Sequence, residues 1–152
     1  MLEKMVQILE KYLQQEGQVA DILLKSEQSV YDAGDAHEIE LKFVSNEHSD
    51  DPIAHIHLYP IDEETCEVEV EVIYRSTEDQ PRSVSTWWEQ MAQIVEGATV
   101  TEKKRFASPT EILETEWIVN YFFLISLDEQ EEAVSQKLLA KCAQEVGKLV
   151  RL

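Results

Sequence analysis

Glycine is scarce in this chain: four residues in 152, at Gly17, Gly34, Gly97 and Gly147, with no two close together. A phosphate cradle needs clustered glycines so that backbone N–H groups can approach the anion, and P-loop and dinucleotide-binding readings therefore fail. Cysteine is scarcer. Cys66 and Cys142 stand far apart and make no CxxC pair, which excludes a thioredoxin-like redox motif and a zinc knuckle. No nucleophile elbow and no HExxH occurs. Basic residues are few: 13 Lys and Arg against 31 Asp and Glu leave a net charge of −18. Such a chain lacks the cations that neutralise nucleic-acid phosphates or an anionic membrane surface, so neither is expected as a direct partner. Long apolar runs are also missing. The longest, Trp117 to Leu127, is broken by Asn120 and Ser126 and falls far below the ~20 residues of a membrane span. The N-terminal MLEKMVQILEKYLQQ mixes acids and bases at helical spacing, unlike a signal peptide, and a cytoplasmic location is expected.

What is present is a globular composition, 43% hydrophobic and 29% charged, in a chain of single-domain length. One domain over residues 1–152 is expected. Leu2, Met5, Val6, Leu9, Tyr12 and Leu13 fall on one face at helical spacing, and Gly17 is placed to end that helix. Val19–Lys25 reads as a strand. Three segments then alternate strictly: Ile39, Leu41, Phe43; Ala54, Ile56, Leu58; and Val68, Val70, Val72. Period two gives one buried and one wet face, the pattern of an antiparallel sheet. Thr86 and Glu89 form a capping-box pattern before a helix with Trp87, Trp88, Met91, Ile94 and Val95 on one side, stopped at Gly97. A strand over Thr99–Phe106, a turn at Ser108-Pro109-Thr110 and a strand from about Glu116 to Ser126 follow. The last is apolar on both faces, which predicts cover on both. Asp128 and Glu131 cap a final helix with the stripe Leu138, Leu139, Cys142, Val146, Leu149 and Val150. The fold class is α+β, an antiparallel sheet with three helices in the order α-βββ(β)-α-ββ-α.

Three constellations are candidates for function. If Ile56 lies opposite Val68, His57 faces Glu67 and His55 faces Glu69, placing two imidazoles and two carboxylates within cross-strand reach. That set could hold a divalent ion. Opposite-charge pairs on a solvated face explain it more simply, and no metal or other cofactor is assigned. The ladder Glu67, Glu69, Glu71 repeats every ~6.8 Å, comparable with phosphates along a nucleic-acid strand, and suggests an acidic face that mimics one. The plain reading is a charged outer face that keeps the sheet from edge pairing. Trp87 and Trp88 point ~100° apart on a helix, so one of them, with Met91 nearby, could belong to a partner interface rather than the core. No catalytic residue is assigned.

The N-terminal amphipathic helix, the strand trio, the helix bearing Trp87 and Trp88, the following strand pair and the helix ending near Leu152 resemble, by element order, the class I type III secretion chaperones and the related YbjN-type bacterial domains. The segments Val19–Lys25 and Ser26–Gly34 stand outside that order. The resemblance implies a homodimer built partly through the middle helix, with apolar patches that hold an extended partner segment. The expected function is a non-enzymatic, acidic protein-binding domain, a chaperone, adaptor or regulator acting as a homodimer. The alternative is an immunity protein or nucleic-acid mimic that neutralises a basic target.

Overall fold

A computed structural model describes residues 2–16, 19–28, 35–43, 52–76 and 84–151. Its elements in chain order are α1 (Leu2–Gln15), β1 (Val19–Gln28), β2 (Asp35–Phe43), β3 (Ile53–Pro60), β4 (Thr65–Ser76), α2 (Val84–Ile94), β5 (Thr99–Ser108), β6 (Glu111–Ser126) and α3 (Glu132–Val150). The strands form one six-stranded sheet in the order β1-β2-β3-β4-β6-β5, with every neighbouring pair antiparallel. This is the α+β class read from the sequence, and Val19–Lys25 is a strand.

Alternation decides which face is buried. Ala54, Ile56 and Leu58 of β3, Val68, Val70 and Val72 of β4, and Val119 and Ile125 of β6 all lie in the core. The Val, Leu and Ile side chains among them each contribute ~1.5–3 kcal/mol on full burial. Met5, Val6, Leu9 and Leu13 of α1 and Leu139, Cys142, Val146, Leu149 and Val150 of α3 complete that core. Helix α3 contacts β3, β4 and β6 as well as α1 and α2, so it is the common support of the helical side. The Tyr74 hydroxyl donates to the Leu149 carbonyl at 2.5 Å and ties β4 to the last turn of α3. Ser135 of α3 does the same for the end of β6, donating to the Ser126 carbonyl and accepting from its N–H.

Several local expectations are corrected. Thr86 lies inside α2, which is helical from Val84, so it is not the N-cap; nothing in Val84 or Ser85 prevents helical dihedrals ahead of it. Asp128 caps a short 3-10 turn, Glu129–Glu131, by accepting from Gln130 N–H, and α3 grows out of that turn. Strand β6 starts at Glu111, five residues early, because the sequence EILETE pairs with β5 without any apolar alternation to announce it. Leu138 leaves the core stripe of α3 and is partly exposed. Gly17 lies outside the described residues, whereas Gly97 has φ +77° and ends α2 as expected.

Candidate functional site

The β3–β4 register differs from the expected one by two residues. Ile56 faces Val70, His57 faces Glu69, His55 faces Glu71 and Tyr59 faces Glu67. The turn sets this. Asp62 Oδ1 accepts from the N–H of Glu64 and of Thr65, both at 2.8 Å, and Ile61 N–H bonds the Thr65 carbonyl. The turn is therefore centred on residue 63 rather than 62. A shift of two keeps every side chain on its face, so the imidazoles still share a face with the glutamates.

Pairing of β4 with β6 extends that face. Leu124 lies opposite Glu67, Phe122 opposite Glu69 and Asn120 opposite Glu71. Three short columns result: Tyr59, His57 and His55; then Glu67, Glu69 and Glu71; then Leu124, Phe122 and Asn120. The rings of His55, His57 and Tyr59 stack at 6.2 and 5.7 Å between centroids. The Asn120 amide donates to Glu69 Oε1 at 3.1 Å. All three helices pack on the other side, so this face has no second layer among the described residues. Phe122 is 67% and Leu124 51% exposed. The expectation that both faces of β6 are covered holds for the row under the helices and for Ile118, which is buried, and is corrected at Phe122 and Leu124.

On the helical side, Met91 is 3% exposed and belongs to the core, whereas Trp88 is 47% exposed. The side chain of Trp87 lies outside the described residues. Met91 is thus brought into packing and Trp88 to the surface. A groove of about 770 Å³ opens between α2, β6 and α3, lined by Ile94, Tyr121, Phe123, Leu138, Cys142 and Glu145 among others. The Tyr121 hydroxyl is buried beside Cys142 and Glu145. Burial, reinforced by the neighbouring thiol and carboxylate, raises its pKa so that it stays a neutral phenol.

The thiols are inert at neutral pH. Burial pushes Cys142 up to about 12, with Glu145 adding to it, and Cys66 up to about 12, with Glu67 adding to it. A nucleophilic cysteine needs the opposite, a lowered pKa in a partly exposed site. Among the described residues, no group of three or more His, Cys, Asp or Glu is placed to hold a metal ion. Among them, too, no helix is long and apolar enough to cross a membrane. No family model, no curated protein and no solved structure matches the chain.

The glutamate ladder was readable from period two alone. Phe122 and Leu124 beside it were not, because their apolar character suits a covered strand equally well. The signal available was the acid column itself: a row of carboxylates on β4 forbids a tightly packed dry layer over that face, and hence over the β6 row next to it.

Proposed function

We propose that the chain is a non-enzymatic protein-binding domain, a chaperone or adaptor that works as a homodimer in the cytoplasm. The observation that carries the reading is the bare row of β6. Phe122 and Leu124 stand side by side and mostly exposed on an open sheet face, with the exposed Tyr59 on the far side of the glutamate column. Contiguous exposed apolar groups cost solvation unless a partner covers them, and they mark interaction surfaces. The dimer contact belongs to the helical side, where Trp88 is exposed close to the groove beside α2. Large aromatic groups of that kind anchor interfaces.

Selection from a phage library of random twelve-residue peptides tests the binding claim. Clones are expected whose binding is lost in Phe122→Ser/Leu124→Ser. An empty selection, or clones indifferent to that change, defeats the reading. Sedimentation at micromolar concentration tests the homodimer: twice the chain mass is expected, falling toward one chain mass in Trp88→Ala. A monomer in the unaltered protein removes the dimer from the proposal.

A second reading has its own support. Glu67, Glu69 and Glu71 lie on the same open face, and the chain carries −18, which suits a neutraliser of a folded basic target. Steep loss of partner as salt rises separates it from a chaperone that relies on apolar contact.

A further inference from the structure

The open face carries information about what covers it. The following rests on the protein-binding reading and adds the chemistry of the partner. Glu67, Glu69 and Glu71 run along β4 between two flanking columns, Tyr59 and His57 on β3 and Leu124 and Phe122 on β6. Among the described residues no Lys or Arg pairs with any of the three carboxylates; His57 and His55 stand opposite Glu69 and Glu71, and the Asn120 amide donates to Glu69. An isolated acidic row needs no ligand. Here the row meets exposed apolar side chains at two of its members, Glu67 between Tyr59 and Leu124 and Glu69 beside Phe122, so apolar cover and positive charge are required at the same place.

A second copy of the chain does not meet that requirement. Its only run of cations is Lys103-Lys104-Arg105. Lys104 pairs with Glu102 at 3.1 Å, while Lys103 and Arg105 stand opposite Glu116 and Glu114. The partner is therefore a different chain. Long cations suit the site because their alkyl stems cover apolar surface while their heads reach charge. A guanidinium also stacks over an aromatic face and bonds a carboxylate with two parallel N–H groups, which favours Arg over Lys. Spacing sets the partner's conformation. Same-face residues of a strand lie ~6.8 Å apart, and an extended segment laid along β4 presents every second side chain at that interval. A helix repeats every ~5.4 Å and falls out of step across three carboxylates. We infer that the open face binds an extended protein segment bearing Arg or Lys at every second position, held by Glu67, Glu69 and Glu71 and covered along one side by Phe122 and Leu124.

Two synthetic twelve-residue peptides of equal composition test this, one alternating Arg and Thr, the other with six Arg followed by six Thr. Fluorescence anisotropy at fixed moderate salt should show the alternating peptide binding about tenfold more tightly. That preference should vanish, with about tenfold loss, in Glu67→Gln/Glu69→Gln/Glu71→Gln, and should weaken in Phe122→Ser. These Gln changes keep side-chain shape and remove like-charge repulsion, so circular dichroism should show an intact fold. Equal binding of both peptides overturns the inference in favour of unspecific charge attraction. Binding of neither, while phage clones sensitive to Phe122→Ser/Leu124→Ser are still recovered, overturns it and leaves the protein-binding reading standing. An empty phage selection overturns both.

Discussion

Strand β6 has two rows of similar apolar character, and past the buried Ile118 they have different fates. Trp117, Val119 and Ile125 lie buried beneath the helices, whereas Phe122 and Leu124 on the alternate row stand in solvent. Hydrophobicity of the strand does not distinguish the rows. What distinguishes them is the neighbour on β4: the buried row runs beside Val68, Val70, Val72 and Tyr74, the open row beside Glu67, Glu69 and Glu71. The buried state of a strand residue is decided by the layer above it, and the adjacent strand reveals whether such a layer is tolerable. A carboxylate under a dry layer costs more than an exposed phenylalanine, so the acids decide for both columns.

Substitutions in the two rows should separate widely. Ile125→Ala removes a buried side chain and should cost ~2–5 kcal/mol in urea denaturation. Phe122→Ala, on the bare row, should stay within ~0.5 kcal/mol at concentrations where the chain has no partner. If Phe122→Ala costs as much as Ile125→Ala, the open face is covered in solution and the contrast disappears. Next in size is Tyr74→Phe. It leaves the buried Leu149 carbonyl without its hydrogen bond and should cost ~1–3 kcal/mol by the same measurement.

Alkali probes the dryness of the covered side. Cys66 and Cys142 both hold their protons more tightly in the folded protein, with pKa pushed from an ordinary 9.0 to about 12. Each stabilises the neutral fold fully below pH ~9, and that contribution is lost as pH rises toward the folded value. The urea midpoint should therefore fall between pH 8 and 10.5, and fall less steeply in Cys66→Ala/Cys142→Ala. An equal slope in that variant means the thiols are wetter than their positions suggest. The smallest effect concerns total charge. At −18 the compact state repels itself, and the melting temperature should rise by a few degrees from ~10 to ~150 mM salt as the Debye length shortens to ~8 Å. A fall with added salt would mean that pairs such as Lys4–Glu132, at 2.6 Å, outweigh the net repulsion.

Element order and sheet type were legible because period two and period 3.6 are local properties. The column of glutamates and its sharing of a face with His55 and His57 were legible for the same reason. Register was not, since Asp62 chose the turn centre through two hydrogen bonds that no periodicity encodes. The role of Trp88 against Met91 was also hidden. Both sit on the same helical stripe, and only the extent of the surface beneath α2 separates them. Ser135, which fastens the end of β6 to α3, carries no sequence signal beyond being a polar residue on a helix.

Strand β5 closes the sheet on one side, and among the described residues no further strand faces its outer backbone groups. A free strand margin is a template on which identical chains can stack into fibrils. The run Lys103-Lys104-Arg105 lies on that margin, with its cations on alternating faces of the strand. Each lies beside a carboxylate, Lys104 with Glu102 and Lys103 and Arg105 across from Glu116 and Glu114, so both faces of the margin are crowded with charge. Charged side chains on an edge strand disfavour such stacking, and replacing these three by Thr or Val should make the ten-residue strand a better template for copies of itself.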